Sequence, residues 1–170
     1  MLNQLPYTLA IIKEALWLFP PASDFRAGRS DMNIVDDNEK IHPTEGCNVW
    51  AMHLIIQRNP KYEKGPHSFI LERWLVGPEH PLHSVKCAWR PFEFGPRSCL
   101  GQTLAMLELK IVLAMTIRDF DIRSVHDEWD KLRNATHVTT MLGNRAYQVE
   151  GGGGGAHPVD RYPCRIALRA

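Results

Sequence analysis

Leu5, Leu9, Ile12 and Leu16 recur every three to four residues, the spacing that places side chains on one face of a helix. The pattern predicts a helix over Leu5–Leu18, with Pro6 tolerated in its first turn and Pro20-Pro21 stopping it. Residues 22–46 are polar and turn-rich, with one strand predicted near Met32–Val35. "CNVWAMHLII" then begins as a strand and passes into a short helix ending before Asn59-Pro60. Between Lys61 and Arg97 no period is sustained. So long an irregular segment in a compact domain is usually functional or wrapped tightly on a core. Leu100–Asp119 is the strongest helix, apolar on nearly every side, as expected in the interior of a large domain. The end, "RAYQVEGGGGGAHPVDRYPCRIALR", predicts two strands joined by a flexible loop holding the glycine run.

Composition narrows the class of protein. The chain has 170 residues, 44% of them hydrophobic and 23% charged, as in an ordinary globular protein, and is taken as one domain over 1–170. A net charge of +1 argues against nucleic acid or an anionic membrane surface as partner. The most apolar stretch, Leu100–Ile117, is interrupted by Gln102, Glu108 and Lys110, so it makes no membrane span. "MLNQLPYTLAIIKEAL" has neither the basic start nor the cleavage site of a signal peptide, and the chain reads as soluble. Cys47, Cys87, Cys99 and Cys164 follow no framework spacing, and the three outside the loop described next are expected as buried or half-buried small residues. The eight histidines fall in no metal-ligand spacing and are read as surface and loop residues.

One short stretch carries chemistry. "FEFGPRSCLG" holds Cys99 just before a long helix, where free N–H groups and the helix dipole favour thiolate over thiol. Gly95 and Gly101 allow a sharp turn and close approach to a flat partner. Arg97 offers a charge-assisted fork to an anion. A thiolate, surrounding donors, a cation for carboxylates and the aromatic Phe92 describe a haem site with cysteine ligation.

Phe92-x-x-Gly95-x-Arg97-x-Cys99-x-Gly101 resembles the haem-binding signature of the cytochrome P-450 monooxygenases. A chance match at those five positions has odds of roughly a few in 10⁵ at average composition. "LPYTLAIIKEALWLFPP" is similar to the family's helix with its Glu-x-x-Arg pair, "FILERW" to its Pro-Glu-Arg-Phe/Trp segment and "RNPKY" to the segment before that. "AWRPFEFGPRSCLGQTLAMLELKIVLAMTIRDFDI" and "AHPVDRYPCRI" look most like fungal members from sterigmatocystin- and aflatoxin-type polyketide pathways. The resemblance covers residues 2–168 but only about the last third of a family member. It implies a mainly α fold with small β-sheets (α+β), the incomplete C-terminal part of the P-450 fold. It further implies haem b as cofactor, NADPH–cytochrome P-450 reductase as partner and an apolar small molecule as substrate. Relatives are bound to the endoplasmic-reticulum membrane.

Carried over by position, Cys99 is the axial iron ligand, with Phe92 packed against it. Arg97 meets a haem propionate, Arg26 in "FRAG" is a second candidate for that task, and Gly95 and Gly101 permit the loop's approach. Glu14 and Arg73 belong to a structural charge network. No residue of this stretch of the fold is assigned to the chemical step.

Two departures from the family pattern set up the alternatives. Glu14 is followed at i+3 by Trp17, where the family's arginine would lie on the same helical face, so Arg73 alone is left to pair with Glu14. The expectation is an under-compensated carboxylate and a packing problem around the indole. Leu71 also stands where the family has proline. The family's oxygen-activating acid–alcohol pair lies well before the position of Glu14, which only thirteen residues precede. The leading reading is therefore an incomplete monooxygenase that is inactive on its own. The alternative is a degenerate, non-catalytic remnant that binds haem weakly or not at all, and a plain structural α+β domain is a third.

Overall fold

The computed structural model describes residues 5–135, 137–141, 144–145, 149–152, 155–158 and 160–169. Its chain divides into two compact units, Met1–Lys110 and Ile111–Ala170.

The first unit begins with α1 (Pro6–Leu18), which has proline in its first turn and ends where the Phe19 N–H bonds Ala15 O. Its buried face is Ala10, Glu14, Trp17 and Leu18 with Ile12, while Leu5 is exposed and Leu9 and Leu16 are half-buried. The face is therefore turned away from the leucine stripe, because it carries a polar network that an apolar pattern does not register. Strands β1 (Asp24–Ala27), β2 (Asn33–Val35), β3 (Ile41–Pro43) and β4 (Asn48–Ala51) follow. β1 pairs antiparallel with β4 in the register Phe25↔Trp50, and β2 with β3 as a hairpin. The Phe25 and Trp50 rings stack at 5.2 Å. The connection is tight around Gly28, where a Cβ would lie 1.6 Å from the Thr44 carbonyl oxygen.

The short helix α2 (His53–Gln57) closes the end of α1. Gln57 Nε2 donates to Leu16 O and Trp17 O at 3.2 and 2.8 Å, and the Arg58 guanidinium donates to Leu18 O. These are C-terminal carbonyls with no partner within their own helix. The aperiodic segment that follows contains two 3₁₀ turns, Leu71–Trp74 and Gly95–Arg97. α3 (Gln102–Thr116) then runs from the first unit into the second, and none of its residues is buried. A helix patterned for the interior of a large domain is thus left exposed in this chain.

In the second unit β5 (Phe120–Ser124) is followed by α4 (His126–Leu132). Short hairpins β6 (Thr140–Met141) with β7 (Asn144–Arg145) and β8 (Val149–Gly152) with β9 (Gly155–Pro158) follow. Part of the glycine run is thus strand: Gly151 and Gly152 pair with Ala156 and Gly155. Gly153 and Gly154 lie outside the described residues. The last strand, β10 (Cys164–Leu168), pairs antiparallel with β5, Cys164↔Ser124 through Leu168↔Phe120. The two predicted terminal strands are therefore not partners of each other. Arg145 is held by Asp130 and Asp160, and Arg133 by Asp160. Among the described residues no helix is long and apolar enough to cross a membrane.

Candidate cofactor site

The cysteine loop is closed by its own backbone: Cys99 N–H donates to Phe92 O at 2.8 Å and Ser98 N–H to Gly95 O at 3.0 Å. Gly95 sits at φ +82°, a conformation that favours glycine, and a Cβ there would face open space. A Cβ on Gly101 would come within 3.7 Å of the Cys99 sulfur. The side chains of Cys99 and Arg97 are exposed, and Arg97 makes no ion pair among the described residues. An accessible sulfur three residues before α3 and a free guanidinium two residues earlier suit a flat, anionic cofactor. The Phe92 ring lies 5.9 Å from that of Trp89.

The other cysteines differ from expectation. All four thiols are free, and Cys47 and Cys164 are exposed rather than buried, with Cys87 intermediate. Exposure alone therefore does not mark Cys99; the glycines, Arg97 and the helix start do.

In the same unit, Glu14 and Arg73 lie at the centre of a buried network. Arg73 Nε stands 3.0 Å from Glu14 Oε2, with both side chains fully buried. Its Nη1 reaches Glu63 Oε2 at 3.3 Å, and its remaining donors reach the Lys64 and Gly65 carbonyls. Glu14 accepts two more bonds, from Ile70 N–H at 2.8 Å and Trp74 Nε1–H at 2.6 Å. Glu63 accepts from Ser84 Oγ–H and Val85 N–H. Trp17 is fully buried, edge-on to Trp74 at 6.0 Å, under the Arg73 guanidinium at 5.4 Å, and donates to Pro66 O. The expected deficit around Glu14 is therefore absent, because the Trp74 indole and a backbone amide supply the missing donors. Nor is Trp17 a packing problem, since it forms a wall of the network. Lys13 lies over the Trp74 and Trp89 rings at 5.2 and 5.7 Å, and burial pushes its ammonium pKa down.

Residues that sequence patterning passed over support the loop itself. His53 is buried, contrary to the expectation of surface histidines, as is His126. Its Nδ1 faces Ala22 O at 3.0 Å and its Nε2 faces Glu93 Oε2 at 3.0 Å. One helical turn on, Gln57 Oε1 accepts from Arg90 N–H at 2.7 Å. Glu93 also accepts from Arg90 Nη1 at 3.1 Å and from the Phe94 amide at 3.2 Å. Arg26 pairs with Asp24 and approaches Glu93 at 3.9 Å, so it stands beside the cysteine loop but engaged by carboxylates. Burial raises the Glu93 carboxyl pKa, but the His53 bond, the Phe94 amide and the charges of His53 and Arg90 outweigh it and leave it below the usual value. No motif announces these partners; the only signal in sequence is a glutamate inside a glycine-rich turn.

The family model for cytochrome P450 matches residues 1–150. Cytochrome P450 monooxygenase polC of Polytolypa hystricis is 44% identical over all of this chain and 30% of its own length. Cytochrome P450 monooxygenase PC-23 of Penicillium crustosum is 32% identical over all of this chain and 80% of its own length. A solved cytochrome P450DA mutant haem domain superposes with a TM-score of 0.68 at 19% identity, covering 99% of this chain and 33% of that one. The fold and the sequence matches point to one class of protein. The chain belongs to the cytochrome P450 family. It spans about a third of the length of polC and of the similar acrF protein of Aspergillus aculeatus.

Proposed function

We propose that this chain is the haem-binding part of a monooxygenase that inserts one oxygen of O₂ into an apolar small molecule, with electrons from NADPH through a reductase. The observation that carries the proposal is the exposed Cys99 thiol three residues before α3, with the exposed Arg97 guanidinium on the same closed turn. When bound, haem supplies the oxidising chemistry. Cys99, three residues before α3, would hold the haem iron through its sulfur. Arg97 offers its fork to a propionate, and Arg26 is a second candidate that would have to exchange Asp24 for it. Gly95 and Gly101 keep the loop free of side chains that would hold a flat group away. Phe92 carries the carbonyl that closes the loop on Cys99. Glu14, Arg73 and Glu63 hold α1 against the Leu71–Trp74 turn and take no part in the chemical step. The filled network removes the uncompensated Glu14, one of the two grounds for the remnant alternative.

The test is reconstitution of the chain with haem, reduction and exposure to carbon monoxide. The red-shifted Soret band of thiolate ligation is expected, abolished by Cys99→Ala and retained in Cys47→Ala, Cys87→Ala and Cys164→Ala. Loss of the band in Cys87→Ala with retention in Cys99→Ala would move the ligand elsewhere.

A further inference from the structure

Glu93 is a non-glycine residue at φ +61°, inside the loop that the Cys99–Phe92 bond closes. A left-handed backbone costs an ordinary side chain of order 1 kcal/mol or more and persists only where its surroundings impose it. Here the carboxylate is gripped from three directions, by His53, by Arg90 and by the amide of Phe94, with Arg26 close by. Among these, His53 alone both comes from outside the loop and is buried, with a side chain 3% exposed. A carbonyl oxygen can only accept, so Nδ1 must donate to Ala22. An ionised carboxylate can only accept as well, so Nε2 must donate to Glu93. The imidazole is thus a two-ended strut between the segment after α1 and the cysteine loop. His53 and Gln57 lie four residues apart on one face of α2 and hold consecutive parts of the loop's approach, Glu93 and Arg90.

We propose that His53 is a positioning residue for the haem-binding loop, fixing the pose of Cys99 and Arg97 through the Glu93 carboxylate. The consequence for haem rests on the function proposed above; the mechanical part does not. Without the strut, Glu93 is left with partners on its own loop and the more exposed Arg26. The turn from Phe92 to Cys99 then samples other conformations, and the sulfur meets iron in a mixture of poses.

The experiment is a double-mutant cycle in the full chain: wild type, His53→Phe, Glu93→Gly and both together. Phenylalanine keeps a ring at position 53 without N–H groups, and glycine at 93 removes the carboxylate while tolerating positive φ. Hydrogen exchange is read without haem at the amides of residues 93, 94, 98 and 99, with β5 as internal reference. His53→Phe is expected to speed exchange in the loop by about tenfold or more, the scale of a hydrogen bond to a charged group, and to leave β5 unchanged. In the Glu93→Gly background it is expected to change nothing further. In haem-loaded protein, His53→Phe is expected to divert part of the thiolate Soret band to the band of a non-thiolate species. Unchanged loop exchange in His53→Phe, an equal rise in β5, or a full effect persisting beside Glu93→Gly would each overturn the proposal. A chain that takes up no haem would sink the haem reading alone, since the exchange cycle decides on His53 without it.

Discussion

Glu14 has no arginine one turn on, yet its carboxylate is among the best-satisfied groups in the chain. The Trp74 indole N–H at 2.6 Å and the Ile70 amide at 2.8 Å do what a second guanidinium would do. Breaking a buried ion network usually costs more than the network contributes, because a charge is left without compensation. Trp74→Phe keeps the ring and removes one donor, so it is expected to cost about 1–3 kcal/mol, read by denaturant unfolding of the first unit. Trp17→Arg, which a sequence comparison would offer as a repair, is expected to give no gain in thermal midpoint. It removes a buried indole that packs on Trp74 and carries the Arg73 guanidinium, and the acceptor it would seek is already filled. Glu93 makes a pH prediction at the same scale. Its folded pKa is lowered, so ionised Glu93 contributes stability that is fully present above the unfolded glutamate value of about 4.3. That contribution is lost as pH falls through the lower folded value. Loop exchange, corrected for its intrinsic pH dependence, is expected to rise as pH drops below about 4. A flat profile there would show that the carboxylate does not hold the loop.

Among the elements, the hydrophobic pattern located α1, β2, β4, α2 and α3 to within a few residues, because each rests on local chemistry. Pro20-Pro21 ends one helix, Asn59-Pro60 follows another, and the apolar run of α3 is unbroken by glycine or proline. What it missed is non-local. The apolar pattern does not register the buried side of α1, because Glu14 lies on it and no apolar count ranks a glutamate as core. The pairing of β10 with β5 spans some forty residues of chain, and a strand pattern carries no information about its partner. At the candidate site, the cysteine, arginine and glycines were legible because a fixed spacing joins them within ten residues. His53, Gln57 and Glu63 were not, since they act from other segments and have no special spacing. Gly28 was equally silent. A Cβ there would overlap the Thr44 carbonyl, a backbone atom that no side-chain rotation can clear. Gly28→Ala is therefore expected to cost at least the ~1–3 kcal/mol of ordinary overpacking. The check is loss of chemical-shift signature in β1 and β4 at a lower denaturant concentration, with β5 and β10 unaffected.

For the whole molecule, the helix with the strongest apolar pattern is the one that buries least. Along α3, Leu104, Leu107, Ile111 and Met115 form a stripe at helical spacing with exposures of 63, 43, 38 and 67%. A helix that is apolar on most sides is written for an interior, and the chain covers only about a third of polC and acrF. Isolated in water, such a surface exceeds the scattered apolar residues that a soluble monomer tolerates, and it attracts other apolar surfaces. The purified chain is therefore expected to bind a hydrophobic fluorescent dye strongly and to self-associate with rising concentration. Leu104→Glu combined with Met115→Glu, both at the most exposed positions of the stripe, is expected to roughly halve the dye signal and shift sedimentation toward monomer. Helix content should be retained, because glutamate is a good helix former and neither side chain supports a core. Dye binding unchanged by the pair of glutamates would place the reactive apolar surface elsewhere, and unaltered self-association would show that α3 is not what drives it.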